Sequence, residues 1–461
     1  MPLQDLRTAP ESVAPAVALI DRLDEALTTG FGRLASAQLE ALAALARGFH
    51  GTPLAGALQT AIAGIGRSEF LDRHFAVLAA ARGAALGAMH DALVAQACAA
   101  LARPRPELAA MPAAPTQAPP PRVAVLLESV RQWLMELAIA GFANLEVGML
   151  LPFQATLDAI MAEPALVRHA ALLSGLLDEL LTVFPAHGPP DIPQLRWADL
   201  WSRAMILALA PPAPATTRAV SGELRIFATD LRQHNNLANL VAFGALHEPG
   251  RPPQIVRVSV SAFKVDVLQG DDLAGLLGDI AARLLAAIAG GNALKIDNMP
   301  LLATGDLVWH DGRATALGKL KLADEAAAVL GSAPALRPCL EPADRHPALI
   351  EELVYLASKD YTFDPKDPRV VGVGGRLFPL AHERVPVSAE LALADLTATV
   401  GVVALLRFDG GQWALQPVMI DKGKAAPRMV GVGLHAARAK TRGGNLETLK
   451  ERAGKLLRKK S

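Results

Sequence analysis

The chain has 461 residues, 52% of them apolar and 20% charged, with basic and acidic side chains in equal number and a net charge of zero. That size allows roughly two to four domains and enough apolar material for a sizeable core. Aromatic residues make up only 4%, too few for an extended base- or sugar-stacking platform, and the two cysteines, Cys98 and Cys339, are too far apart in sequence to suggest a disulfide framework or a paired-cysteine zinc site.

Cys98, in the run Ala97-Cys98-Ala99-Ala100-Leu101, reads as a small buried hydrophobe. The opening MPLQDLRTAPESV has neither a cationic start nor an unbroken apolar core. Every apolar stretch is cut by charge, Pro or Gly before about 18 residues, so no transmembrane helix and a cytoplasmic residence are expected. Charge is uneven: residues 1–220 carry −4 with 15 Arg and no Lys, residues 221–417 carry −5, and residues 418–461 carry +9.

In chain order, residues 11–102 read as a small helical bundle. Leu42, Leu45 and Phe49 mark one helix; Leu54, Leu58, Ile62 and Ile65 lie on one face of the next, with Thr52-Pro53 as its expected cap. Ser68-Glu69 is expected to open a third, carried on by Leu71, Phe75 and Leu78 and by Leu86, Met89, Leu93 and Leu101. Seven prolines between 104 and 121 make 103–121 an extended linker. A second bundle follows over 122–210, with stripes through Leu126, Val130, Leu134 and Leu137, through Leu157 and Ile160, and through Leu166, Leu173, Leu176, Leu177 and Leu180. Its last helix, from Arg196, carries Trp197 and Trp201 at i, i+4. That pair is a candidate anchor for a partner, since Trp is enriched at interface hot spots; the simpler reading packs both rings between helices. Pro211, Pro212 and Pro214 form a further linker over 211–220.

After residue 220 the period becomes two. Leu224, Ile226 and Ala228, then Val241, Phe243 and Ala245, then Val256, Val258 and Val260, alternate as half-buried antiparallel strands. A helix over 271–289 ends at Gly290-Gly291, and a hairpin is expected from 307 to 317 about His310-Asp311-Gly312. Three strands, a helix and two strands is an order that resembles an OB barrel. Residues 331–433 read as a further α/β or α+β unit, with a helix over 347–359 and a hairpin turning at Asp409-Gly410-Gly411. The expected fold is therefore multi-domain: an all-α N-terminal half of two helical bundles, then an α+β C-terminal half with mainly antiparallel sheet. No internal repeat with a convincing period emerges.

Motifs for chemistry are scarce. Gly312 to Lys319 has five residues between its glycines and Leu320 where a phosphate loop needs a hydroxyl. Gly372-Val373-Gly374-Gly375 lacks the third glycine of a dinucleotide loop and reads as a turn. Asp306 and His310 would share a strand face about 13 Å apart, at about 3.3 Å per residue, too far for a shared ligand. Asp230, His234 and Asn235 read as polar turn material. Glu351 and Glu352 read as acidic residues complementing the dipole of the expected 347–359 helix, with Asp344 and His346 upstream. No metal site, cofactor or catalytic triad is indicated.

The local signal that stands out is the basic tail, 434–461. Seven of the 13 lysines follow residue 420. Leu446, Leu449, Ala453, Leu456 and Leu457 fall on one side of a helix capped by Asn445, while Lys450, Arg452, Lys455, Arg458, Lys459 and Lys460 supply cations. Such a segment can dock on its own domain, an acidic partner, nucleic acid or an anionic membrane surface. The modular layout and missing catalytic set point to a non-enzymatic adaptor or scaffold that binds a protein partner. The alternatives are an enzyme with an unrecognised site in 221–433 and a nucleic-acid-associated protein using the tail. A His–carboxylate pair in a concave pocket would favour the enzyme, a basic stripe joining tail to sheet would favour nucleic acid, and an apolar patch on the helical half would favour the scaffold.

Overall fold

A computed structural model describes residues 6, 8–105, 118–183, 192–209, 217–234, 237–264, 271–331, 345–363, 370–373, 375–384, 396, 398–423 and 428–429. An N-terminal helical half is followed by an α+β half of mostly antiparallel sheets.

The helical half is one four-helix motif built twice. In the first unit α1 (Val13–Thr29) ends at Gly30, a single 3-10 turn (Phe31–Arg33) follows, and α2 (Ser36–Gly48), α3 (Ala55–Gly66) and α4 (Asp72–Ala100) complete it. In the second, α5 (Pro121–Ala140) ends at Gly141, the turn Phe142–Asn144 follows, α6 (Val147–Leu150) and α7 (Phe153–Met161) together take the place of α2, and α8 (Val167–Val183) and α9 (Gln194–Leu207) complete it. Burial recurs 111 positions later: Leu23, Phe31, Leu42, Phe49, Ile62 and Ile65 are buried, and so are Leu134, Phe142, Phe153, Ile160, Leu173 and Leu176. Phe31 meets the ring of Phe75 edge-on at 5.3 Å, and Phe142 meets Trp197 edge-on at 5.6 Å; each partner is the fourth residue of its helix, α4 or α9. Contacts across the units are reciprocal, α1 with α9 and α5 with α4, as an approximate twofold axis requires. Gly30 and Gly141 sit back to back on that axis with φ of 99° and 84°. Arg33 donates to Asn144, its own counterpart, at 2.7 Å. The two units share a single hydrophobic core.

Several helix boundaries differ from expectation. Thr52 does not cap α3: its hydroxyl donates to the Phe49 carbonyl at 2.7 Å and the helix starts at Ala55. Ser68 adopts a positive φ of 60°, so the next helix waits until Asp72 and then runs unbroken through Gly83. By length and composition α4 is the one helix among the described residues that could cross a membrane. It carries buried Arg82, His74 and His90 and lies at the centre of the shared core.

The α+β half opens with a barrel. β1 (Thr217–His234) is long enough to pair with β2 (Leu237–His247) along its second part and with β4 (Asn292–Leu302) along its first. β3 (Gln254–Phe263) pairs antiparallel with β2 and parallel with β5 (Asp306–Leu307), which also pairs with β4. The circuit β1-β2-β3-β5-β4-β1 is thereby closed, with α10 (Asp271–Gly290) crossing between β3 and β4. This circuit and helix position are those of an OB barrel. The expected 307–317 hairpin does not form. β5 and β6 (Ala314–Lys319) both lie along β4, a strand unrecognised in the sequence. The turn between them is pinned to α10, where Arg283 donates its backbone N–H to Asp311 at 3.0 Å and its guanidinium to the Ala314 carbonyl at 2.6 Å.

After α11 (Leu322–Leu330) comes a second sheet, β13-β12-β11-β7, built from β7 (Glu352–Ala357), β11 (Gly401–Asp409), β12 (Gln412–Asp421) and β13 (Arg428–Met429). The expected helix over 347–359 is instead one 3-10 turn followed by β7. This sheet is the middle layer of the molecule. Val354, Leu356, Val402, Ala404 and Leu406 join the helical core, while Leu353, Val403, Leu405 and Val418 join the barrel core. Alternation places successive residues on opposite faces, so a strand covered on both sides reads as a continuous apolar run such as Val402-Val403-Ala404-Leu405-Leu406. The turn at Asp409-Gly410-Gly411 is as expected. A small sheet of β8 (Tyr361–Phe363), β9 (Val370–Val373) and β10 (Arg376–Pro379) lies beside it.

Candidate functional site

Trp197 and Trp201, the candidate anchors, pack inside the helical half as in the simpler reading. Both rings are buried in the helical core, and Trp201 donates its indole N–H to the Leu134 carbonyl at 2.8 Å. Their i, i+4 spacing turns both onto the inward face of α9. Lys450, Arg452, Lys455, Arg458, Lys459 and Lys460 lie outside the described residues. Asp306 and His310 form no joint site: Asp306 accepts from Arg257 at 2.6 Å, and His310 is exposed. Among the described residues no group of three His, Cys, Asp or Glu could hold a metal ion.

Three polar clusters merit a chemical reading. The first lies where the barrel meets the middle sheet. Asp230 on β1 is buried and accepts from Arg232 at 2.8 Å, Arg407 at 3.0 Å and Gln416 at 2.8 Å. Glu351, at the head of β7, takes Arg232 at 2.5 Å and Arg257 at 3.3 Å. Burial pushes the Arg407 guanidinium below its usual value, against the pull of Glu351 and Asp230. Asp230 is thus not turn material and Glu351 is not a helix-dipole residue; both are acceptors for arginines that cross between layers. Among the described residues three arginines, 232, 257 and 407, pair with three carboxylates, 230, 306 and 351, so these ion pairs balance and fasten the layers together. The cluster also occupies the outer β1–β3 face on which OB barrels hold oligonucleotides or sugars.

The second cluster lines an open cleft of about 400 Å³ bounded by Glu223, Arg225, Gly318, Lys319, Leu320, Lys321, Asp324 and Glu325. At its edge His247 Nε2 lies 2.7 Å from Glu325, whose other oxygen accepts from Arg225 at 2.8 Å. Arg225 also holds Glu223 at 3.0 Å. A His–carboxylate contact is the kind of pairing that general acid–base sites use. Among the described residues no Ser, Thr or Cys lines the cleft, and Gly318, Lys319 and Lys321 are exposed, so this part of its wall does not exclude water.

The third cluster clamps residues 345–349 onto the helices. His346 accepts the Ala348 N–H on Nδ1 at 3.0 Å, which puts its proton on Nε2, 3.3 Å from Asp199. Burial drives the His346 pKa from 6.5 to about 4; Asp199 opposes this, and Arg203 and Arg82 add to it. A histidine held neutral when folded is protonated first in the unfolded chain, so its contribution is complete above pH 6.5 and falls as the pH drops towards 4. We expect a loss of about 3 kcal/mol by pH 4 from this residue. Urea titrations at several pH values check it: His346→Gln should flatten the curve between those limits, and an unchanged slope would refute the assignment.

One surface of the second helical unit differs from its counterpart in the first. Val147 on α6, Leu151 just after it, Met161 at the end of α7 and Val167 at the start of α8 are exposed, and α6 packs on both of the other helices. The corresponding positions of the first unit, 111 residues earlier, hold Ser36, Glu40, His50 and Gly56, also exposed. At the same corner Glu146, Asp158 and Glu163 stand where the first unit has Ala35, Arg47 and Thr52. Residues 146–168 contain three acidic side chains and one cation, Arg168, a net charge of −2. No local stripe or motif marks this corner; it stands out only as a difference between structurally equivalent positions of the two units. Comparison with family models, with curated proteins and with solved structures found no match.

Proposed function

We propose that the protein is a cytoplasmic, non-enzymatic adaptor whose partner surface is the α6–α8 corner. The observation that supports this is the asymmetry between the two units. Equivalent exposed positions are polar in one copy and apolar in the other, so neither the fold nor the core requires Val147, Leu151 and Met161 to be apolar. Exposed clustered apolar side chains of this kind mark interaction sites. Cytoplasmic residence goes with Cys98 persisting as a buried thiol.

The test uses the first unit as its own control. The full chain carrying Val147→Ser, Leu151→Glu and Met161→His places on the second unit residues the first already bears. Stability should change by less than about 0.5 kcal/mol per site, while specific protein partners recovered from native lysate by the wild type fall at least about tenfold. Recovery of no specific partner by the wild type, or equal recovery by the variant, would overturn the proposal.

A second reading, an enzyme using the His247–Glu325 pair, is favoured by that one contact. Among the described residues that pair has neither an associated nucleophile nor a dry pocket. Nucleic-acid binding has less support, since Arg232 and Arg257 on the barrel face are neutralised by Asp230, Glu351 and Asp306.

A further inference from the structure

We propose that the outer edge of β6 receives an extended acidic peptide of a partner protein, added as a further strand of the barrel sheet. This site is separate from the α6–α8 corner and does not depend on it.

The barrel does not need β6 for closure. The circuit β1-β2-β3-β5-β4-β1 closes without it, and among the described residues β6 pairs with β4 on one side and with no strand on the other. Thr315 to Lys319 are exposed throughout. The strand's first carbonyl is taken, since Arg283 donates to Ala314 at 2.6 Å. Beyond it, one extra residue between Ala316 and Lys319 relative to β4 frees further backbone from the β4 ladder. An edge strand turns alternate N–H and C=O groups away from its sheet, and the group that satisfies such a row is another extended backbone. A helix does not, because its own backbone bonds are closed internally.

Charge chooses the occupant. Residues 312–321 hold three cations, Arg313, Lys319 and Lys321, and no acid. Thr315 lies opposite Lys295 of β4, a further exposed cation. Asp311 and Asp324 flank the strand, and Asp311 already accepts from the Trp309 indole at 3.1 Å and the Arg283 N–H at 3.0 Å. The same cations reject a second copy of this chain. Antiparallel self-pairing centred on Ala316 would set Arg313 of one copy opposite Lys319 of the other, and parallel pairing in register would stack each cation on its twin; like charges directly opposite are destabilising. An acidic strand meets no such penalty.

The probe is a blocked peptide of about eight residues alternating glutamate and valine, long enough to lie along β6 at about 3.3 Å per residue. Titrated into the full chain, it should bind saturably and slow amide exchange over 314–319 about fivefold or more, with 147–167 unchanged. Methylating all its amide nitrogens keeps side chains and charge but removes the donors, and should weaken binding about tenfold or more. Replacing its glutamates by lysine should weaken it as much, and so should Lys319→Glu/Lys321→Glu in the protein, whose urea midpoint should not move because both side chains are exposed. Absence of binding, equal binding of the methylated or the lysine peptide, or protection centred outside 314–319 overturns the proposal. So does displacement of the peptide by oligothymidylate at equal concentration, which would make the strip a phosphate site. Protection of 314–319 without peptide that vanishes on dilution would also overturn it, by assigning the edge to a second copy.

Discussion

Gly141→Ala should destabilise the protein by about 3–5 kcal/mol, combining a left-handed backbone strain with an overpacking clash. A Cβ at Gly141 would lie 2.3 Å from the Gly30 nitrogen and 2.5 Å from both the Gly30 Cα and the Thr29 carbonyl carbon. Every atom it meets is backbone, on the axis where the two helical units touch, so no side chain can rotate away. Gly30→Ala should behave alike, its Cβ meeting the Ala140 carbonyl oxygen at 2.3 Å. Gly51 is the control: its φ is 79° but nothing lies within 4 Å of an added Cβ. Gly51→Ala carries the strain without the clash and should cost about 1 kcal/mol. Urea unfolding followed by far-UV circular dichroism decides the matter. If Gly141→Ala lies within experimental error of Gly51→Ala, the close contact between the units is not as described.

Asp230→Asn should cost a further large amount, about 3–5 kcal/mol, because it keeps the shape but leaves buried cations uncompensated. Arg232 and Arg407 would each lose a carboxylate acceptor at 2.8 and 3.0 Å, and three arginines would then face two acids. The double variant Asp230→Asn/Arg407→Gln restores the balance. It should be more stable than the sum of the single costs predicts, with a coupling of about 1–3 kcal/mol. Simple additivity in the cycle would mean that the cluster is no linked network. Limited proteolysis gives a second readout: the single variant should expose the β12–β13 side of the middle sheet, since the network fastens that layer to the barrel.

Much of the architecture is legible from local pattern. The 3.6-residue stripes, the Pro-rich stretches and the switch to period two after residue 220 divide the chain correctly into a helical and an α+β half. The Asp409-Gly410-Gly411 turn and the burial of Cys98 follow from residue type alone. These features depend on near neighbours, which a sequence displays directly.

What escaped is what depends on partners far along the chain. The duplication is carried by burial at a constant offset and by only a few identities, among them Gly30 and Gly141, Phe31 and Phe142, Leu34 and Leu145, and Pro53 and Pro164. Any apolar residue fills an inward position, so the repeat leaves little trace in residue identity. β4, with Pro300 and a mixed polar pattern, becomes a strand because β1 and β6 flank it. Glu351 shows locally only an acidic pair after a proline; its partners Arg232 and Arg257 lie 119 and 94 residues away, and Asp230 meets Arg407 across 177. The composition and periodicity of this chain determined its division into a helical half and a half built mainly of strands. Tertiary structure alone decided which charges are buried together, which faces the middle sheet covers, and that one copy of a repeated unit keeps an apolar, acidic corner exposed, because each of these is a relation between surfaces that folding brings into contact.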